Sequence, residues 1–323
     1  MSAALSLAIP SKGRLRDQAF AFLTDCGLAV ETGGGRGYTA RLRGVSDVEV
    51  RLMSASEIAT GLAAGETHMG VTGLDLIREL TGHAEEATTL LTGLGFGFAD
   101  VVVAVPAAWI DVETMSDLED VSAAFFRNRS QKLRVATKYV NLARRFFAEK
   151  GLTDYRIVES LGATEAAPAA GSAEAIVDIT TTGATLAANN LKVLSDGMIL
   201  SSEAHLAISR GADWSEATVA AARAVLDRIA ARAHALAVKE IRFALPKRNP
   251  ALVKQLSSEF GCSLPFGEGA RGGEVLVHCP HERMYDVVRV LYDRGAQRVV
   301  ATTADYIFEA ENPLFRALRD ALS

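Results

Sequence analysis

Short apolar runs of strand length alternate with amphipathic stretches of helical spacing along most of this chain. That alternation restricts it to an α/β fold more tightly than any other feature. Leu5–Ile9 is strand-like, Ser11–Arg14 turns, and Leu15–Cys26 has helical spacing that stops at Gly27. Val48–Leu52 reads as a strand, Ile58–Ala64 as a short helix ending at Gly65, Met69–Thr72 as a strand and Leu74–Leu80 as a helix. Asp100–Val105 is a strand ending at Pro106, and strand Leu133–Ala136 is followed by helix Val140–Lys150, closed by Gly151. Arg156–Glu159 and Ala175–Ile179 are further strands, and Leu186–Asn189 opens another helix. Such a βαβα grammar predicts largely parallel sheets with helices on their faces.

The pattern changes once. Thr218–Val238 is a long Ala-rich helix with apolar residues at 219, 222, 226, 229, 233 and 236. After it, strand Glu240–Leu245, helix Ala251–Phe260, strand Glu274–His278, helix Met284–Arg294 and strand Arg298–Thr302 restart the grammar around a Gly-rich loop at 261–273. Two β–α–β units in about 85 residues have the size of a small ferredoxin-like sandwich. A domain boundary is therefore expected at the end of the long helix.

Composition excludes several classes. A chain of 323 residues is expected to hold two or three domains, and 49% hydrophobic residues supply an ample core. Lys+Arg 34 against Asp+Glu 39 leaves a net charge of -5, which argues against a general polyanion or nucleic-acid binder. The best apolar run, Val101–Ile110, is broken by Pro106 and falls short of the roughly 18 residues that span a bilayer. The N-terminal residues lack the basic region of a secretory signal. Cys26, Cys262 and Cys279 read as reduced thiols of a cytoplasmic protein.

The most informative segment for chemistry is Ala175–Leu186, AIVDITTTGATL. Asp178 ends a buried strand, and Thr180, Thr181, Thr182, Gly183, Ala184 and Thr185 form a loop into a helix. Ligands of open α/β sheets sit beyond the carboxyl ends of the strands. Gly183 lets backbone approach an anion, and hydroxyls and N–H groups at a helix start suit a phosphate monoester. The carboxylate one turn away suits sugar hydroxyls or a bridging metal ion. The plain alternative is a hydroxyl-capped helix after a strand.

Pro10–Leu15, PSKGRL, sets Lys12 and Arg14 around Gly13 after the first strand, as an anion site or a solvated turn. Arg127, Arg129, Lys132, Arg134, Lys138, Arg144 and Arg145 form a run without an acid, which either guides a small polyphosphate or covers a solvated face. Gly33–Gly37 reads as a hairpin turn, because it lacks the Lys-Ser/Thr ending of a P-loop. Gly93, Gly95 and Gly97 do not make a dinucleotide fingerprint. His278, Cys279 and His281 lack a second metal-ligand pair, and packing is the expected role.

Taken in order, these segments resemble the ATP phosphoribosyltransferase family, the first enzymes of histidine biosynthesis. The resemblance runs through PSKGRL, Gly70–Asp75 (GVTGLD) followed by Glu79, Phe96–Pro106, Arg134–Phe147 (RVATKYVNLARRFF) and Glu159–Leu191. It implies two periplasmic-binding-protein-like lobes around a cleft: residues 1–105 with 195–237, and residues 106–194. Residues 238–323 would form a ferredoxin-like (ACT/PII-like) domain that senses L-histidine as an allosteric inhibitor.

The resemblance further implies attack of adenine N1 of ATP on the anomeric carbon of phosphoribosyl pyrophosphate. Pyrophosphate leaves with Mg²⁺ through an oxocarbenium-like transition state. Thr181–Thr185 would hold the 5′-phosphate, and Asp178 would contact ribose hydroxyls. Glu165 would lie near sugar and metal, Lys12 and Arg14 would neutralise phosphates, and Asp75 and Lys138 would lie near the nucleotide. A homo-oligomer, dimer or hexamer, is the family's usual state. The chain departs from the family pattern at Ser54, where an Arg is common and Arg51 is the nearest substitute, and at His68 and Glu174, where Asp is usual.

Three competing functions are set against this one. Another phosphoribosyltransferase would carry two adjacent acids before its Thr-Gly loop, whereas Asp178 is followed by Ile179. A two-lobed sensor or solute-binding protein would need no cation-rich phosphate cleft. A nucleic-acid-binding regulator would want a basic C-terminal domain.

Overall fold

The computed structural model describes residues 4–32, 39–245, 249–267 and 274–323. The expected turn at Gly33–Gly37 and the end of the loop at 268–273 lie outside the described residues. In chain order the first elements are β1 (Leu5–Pro10), α1 (Gly13–Asp25), β2 (Val30–Thr32), β3 (Thr39–Leu42), β4 (Val48–Met53), α2 (Ala55–Ala63), β5 (Met69–Gly73), α3 (Leu74–Glu79), α4 (His83–Glu86) and β6 (Thr88–Gly93). Next come β7 (Ala99–Pro106), α5 (Met115–Arg129), β8 (Leu133–Thr137), α6 (Val140–Lys150), β9 (Tyr155–Glu159), β10 (Ala175–Thr180), α7 (Ala184–Ala188) and β11 (Leu191–Ser202). The chain then returns through β12 (Ala204–Ser209) and α8 (Glu216–Ala237). It ends with β13 (Val238–Ala244), α9 (Pro250–Phe260), β14 (Glu274–Pro280), α10 (Met284–Asp293), β15 (Val299–Thr302) and α11 (Pro313–Leu322).

Two sheets make two lobes. Lobe I has the strand order β2-β3-β4-β1-β5-β12-β6, and lobe II the order β11-β7-β10-β8-β9. β1 lies between two parallel neighbours, β4 and β5, and every one of its residues is buried. Its mostly apolar run is what a strand covered on both faces requires, and the one buried polar side chain, Ser6, is hydrogen-bonded to His68. β8 likewise pairs in parallel with β10 and β9.

The sheets are less parallel than the alternation suggests. β7 runs antiparallel to β10 and β11, and β12 runs antiparallel to β5 and β6. The physical reason is the double crossing between lobes, β6 to β7 outward and β11 to β12 back. Strands that enter and leave across one boundary must run in opposite senses. β11, β12 and β6 escaped the sequence reading, because polar residues interrupt their short apolar runs and an irregularity around Asp196–Gly197 breaks β11 in two.

Helix starts follow local chemistry. Ser54 with Glu57, Thr114 with Asp117 and Ser215 with Thr218 form reciprocal caps at α2, α5 and α8. α8 buries Ala222, Val225, Leu226 and Ile229 in the core of lobe I.

α8 passes directly into the third sheet, antiparallel in the order β14-β13-β15. Ser263 and His278 exchange N–H···O bonds of 2.9 Å as an isolated bridge beyond β14. The ferredoxin-like second strand is thus reduced to one residue. α9 and α10 cover a core of Ile241, Phe243, Leu252, Val277 and Leu291. The chain beyond β15 leaves this sheet. α11 packs Leu318, Leu314 and Phe315 on the core of lobe I, and Asn312, which caps α11, donates to Asp227 of α8 at 2.8 Å.

Candidate active site

PSKGRL follows the carboxyl end of parallel strand β1 in lobe I, and the Thr-Gly turn and Lys138 follow the carboxyl ends of β10 and β8 in lobe II. In lobe I, β1 and β4 end in register at Pro10 and Met53, and the Ser11 N–H donates to the Met53 carbonyl at 2.8 Å. Lys12 and Arg14 are exposed at the start of α1 around Gly13, whose φ of 72° is the left-handed region that favours glycine. Glu57, one turn into α2, is held below its ordinary carboxylate range by hydrogen bonds from Ser54, with Lys12 adding attraction. Ser54, the departure from the family pattern, is therefore a helix cap. Arg51 does not replace the missing arginine, since it pairs with Glu49 and donates to the Glu66 carbonyl at 3.0 Å.

Lobe II supplies the turn after β10. Asp178 is half-buried near the end of that strand, with Oδ1 accepting the Ile179 N–H at 2.8 Å. Thr180 Oγ1 accepts the Gly183 N–H at 2.9 Å, which closes the turn, and Gly183 has φ +71°. Thr181, Thr182, Ala184 and Thr185 are exposed around it, and no atom lies within 4 Å of a Cβ placed on Gly183. The turn is an open cradle for an anion. Burial first, and Glu165 in addition, push the Asp178 carboxyl above its ordinary range, against pulls from the Ile179 N–H and Lys138. Glu165 sits on a short 3-10 turn, Thr164–Ala166, and Lys138 is exposed just past β8. The structure thus groups Asp178, Glu165, Lys138 and Thr180–Thr185.

Asp75, expected beside the nucleotide, is closed off instead. It is 5% exposed, and both carboxylate oxygens are taken: the Tyr139 hydroxyl donates to Oδ2 at 2.7 Å and the Ser202 hydroxyl to Oδ1 at 2.8 Å. Tyr139 and Ser202 were not singled out from sequence. Tyr139 stands inside RVATKYVNLARRFF, directly after Lys138, but nothing in the segment marks its phenol as tied to another lobe.

The basic run is dispersed. Arg134 pairs with Glu174, Arg145 with Glu85, and Arg127 and Arg129 end α5. Lys138 alone of these residues joins the grouped site. Glu174 and His68 lie at the amino ends of β10 and β5, away from the cleft. His68 Nδ1 accepts the Ser6 N–H at 3.2 Å, so Nε2 carries the proton toward the Asp213 carbonyl at 3.0 Å. Both departures are therefore framework residues. His278 is buried beside Glu240 and His234, and Cys279 lies in the core of the third sheet.

Among the described residues, no group of three or more His, Cys, Asp or Glu side chains is placed to hold a metal ion. Asp178 and Glu165 nevertheless fit the way Mg²⁺ is commonly bound, through one or two carboxylates and substrate phosphates. Their mutual repulsion is what a cation relieves. No described helix is long and apolar enough to cross a membrane.

Comparison with known proteins agrees with the segment order. The HisG family model, ATP phosphoribosyltransferase, matches residues 54–231. An ATP phosphoribosyltransferase of Bradyrhizobium diazoefficiens is 53% identical over 98% of this chain and 98% of its own. That of Rhodopseudomonas palustris strain BisB18 is 50% identical over 100% and 99%. The ATP phosphoribosyl transferase (HisG:HisZ) complex from Thermotoga maritima aligns with a TM-score of 0.48 and 27% identity, covering 64% of this chain and 87% of that one. By sequence over its full length, the chain belongs to the ATP phosphoribosyltransferase family, enzymes that transfer a pentosyl group.

Proposed function

We propose that the chain transfers the phosphoribosyl group of phosphoribosyl pyrophosphate to N1 of ATP, releasing pyrophosphate, at the mouth of lobe II. The observation that carries this reading is the grouping of a carboxylate, an open Thr-Gly turn, a second carboxylate and a lysine at the carboxyl ends of β10 and β8. The N–H groups and hydroxyls of Thr181, Thr182 and Thr185 hold the 5′-phosphate, while the Ala184 N–H donates to the Thr182 hydroxyl at 3.4 Å. The Gly183 N–H is already engaged by Thr180, so Gly183 contributes shape and no donor. Asp178 orients the ribose hydroxyls and offsets positive charge at the anomeric carbon. Adenine N1 brings its own lone pair, so catalysis reduces to positioning and charge stabilisation.

Asp178 and Glu165 would hold Mg²⁺ together with substrate phosphates, and the ion would supply positive charge to the pyrophosphate oxygens. Lys138 from lobe II and Lys12 and Arg14 from lobe I add charge around the same oxygens. Asp75 acts from beneath the surface, through the residues it holds.

We divide the chain into lobe I (1–98 with 203–237), lobe II (99–202) and a regulatory domain (238–323) that senses L-histidine; the lobe boundaries move from the expected 105 and 195 because β7 and β11 pair within the lobe II sheet. In this division α11 carries the signal, since it packs on lobe I. The three buried, unpaired cysteines suit a reducing cytoplasm. A homo-oligomer is the assembly proposed.

The test mixes purified protein with ATP, phosphoribosyl pyrophosphate and Mg²⁺, following near-ultraviolet absorbance of N1-substituted adenine together with pyrophosphate release. Folded protein that forms neither product overturns the assignment. L-Histidine is then added: an unchanged rate without binding overturns the sensor role alone.

A further inference from the structure

Asp75 belongs to α3 of lobe I, yet its two hydroxyl donors come from elsewhere. Tyr139 lies between β8 and α6 in lobe II, and Ser202 is the last residue of β11, where the chain leaves that lobe. The three side chains are nearly inaccessible: Asp75 is 5% exposed, Tyr139 1% and Ser202 3%. The Ser202 hydroxyl also accepts the Asp75 N–H at 3.0 Å. A carboxylate this deep persists when its oxygens are met by donors. Gly73 belongs to the same arrangement, because a Cβ there would come within 2.2 Å of Asp75 Oδ1.

The same helix grips the same loop one turn later. Glu79, four residues after Asp75, accepts the N–H groups of Asn141 at 2.8 Å and Leu142 at 3.0 Å, at the start of α6. Its own carbonyl accepts the Asn141 side-chain N–H at 2.9 Å. Negative charge at a helix N-terminus is favourable, so the joint is electrostatically matched. The segment 139–142 is therefore held to lobe I at two points. Lys138 immediately precedes it, with Nζ 4.8 Å from the centroid of the Tyr139 ring, in range of a cation–π contact.

We propose that Tyr139 and Ser202 are positioning residues of the transfer reaction: clamped on Asp75 across the lobe boundary, they fix the 138–142 segment so that the Lys138 ammonium faces the Asp178 end of the cleft. The proposal rests on reading Lys138 and Asp178 as parts of the phosphoribosyl pyrophosphate site. It assigns Asp75 the role of an anchor rather than a nucleotide ligand.

The experiment is a double-mutant cycle read in steady-state kinetics. Tyr139→Phe keeps the ring and removes the hydroxyl, and Lys138→Met removes the ammonium. Tyr139→Phe is expected to raise KM for phosphoribosyl pyrophosphate about tenfold while KM for ATP moves less than about twofold. In the Lys138→Met background it should add almost nothing, because coupled residues are non-additive. Ser202→Ala repeats the cycle from the other donor if Tyr139→Phe lowers the yield of folded protein.

Equal loss for both substrates, or additive effects, would overturn the positioning role. An unchanged KM for phosphoribosyl pyrophosphate in Lys138→Met alone would overturn the placement of Lys138 in the site, and the proposal with it.

Discussion

The Thr180 hydroxyl accepts the backbone N–H of Gly183 at 2.9 Å and so closes the turn that follows β10. Thr180→Val keeps the side-chain shape and deletes the acceptor. We expect a loss of about 1 kcal/mol in stability, the scale of one hydrogen bond, and a several-fold higher KM for phosphoribosyl pyrophosphate. Chemical denaturation and initial-rate kinetics check the two effects separately. Unchanged kinetics in a destabilised variant would mean that the turn does not shape the phosphate site.

Asp178 is costly to the fold and valuable to the chemistry. Its carboxyl is raised by burial from its ordinary 3.8. A raised acid contributes stability that is complete below the ordinary value and lost as pH rises through the folded one. At pH 7 the ionised group therefore works against folding. Asp178→Asn should raise Tm by ~2 °C at pH 7, with the gain shrinking toward pH 4. Turnover should fall by about 10²- to 10³-fold. A near-normal rate would move the sugar site elsewhere.

Glu174 shows the opposite sign. Although burial pushes its carboxyl up, side-chain and backbone hydrogen bonds from Arg134 outweigh that and hold it below the ordinary 4.5. The stability it contributes is present above 4.5 and lost as pH falls through the lowered value. Glu174→Ala should cost about 1–2 kcal/mol at pH 7. That cost should fade under acid conditions, and both KM values should stay unchanged, because the pair lies at the amino ends of the strands. Urea titrations at pH 7 and pH 4 make the comparison.

The thiols should be silent in the folded enzyme. Burial pushes Cys26 and Cys262 up to about 12, and Cys279 also moves upward. The thiolate is the nucleophile, so an aromatic disulfide reagent at pH 8 should label native protein negligibly and all three thiols in denaturant. Rapid labelling of native protein would show that these cores open.

By itself, the sequence determined what is local in origin. Strand and helix periods placed β1, β4, β5, β8 and β10, because each is a short stretch dominated by aliphatic residues and followed by a turn or a helix start. The order Asp178, Thr-rich turn, Gly183, helix start was legible because every part lies within one short stretch and its chemistry needs adjacency. Tertiary structure alone decided the rest. Asp75 looked like a ligand until Tyr139 and Ser202, from 64 and 127 residues away, closed around it. The run Arg127–Arg145 looked like one patch, but Arg134 pairs with Glu174 and Arg145 with Glu85, while Lys138 lies near Asp178. Nor does any local signal tell β7, β11 and β12 to run against their neighbours, since their direction follows from a chain that crosses between lobes twice. Contacts between distant segments depend on which surfaces the assembled core leaves facing each other, and a linear pattern does not carry that information.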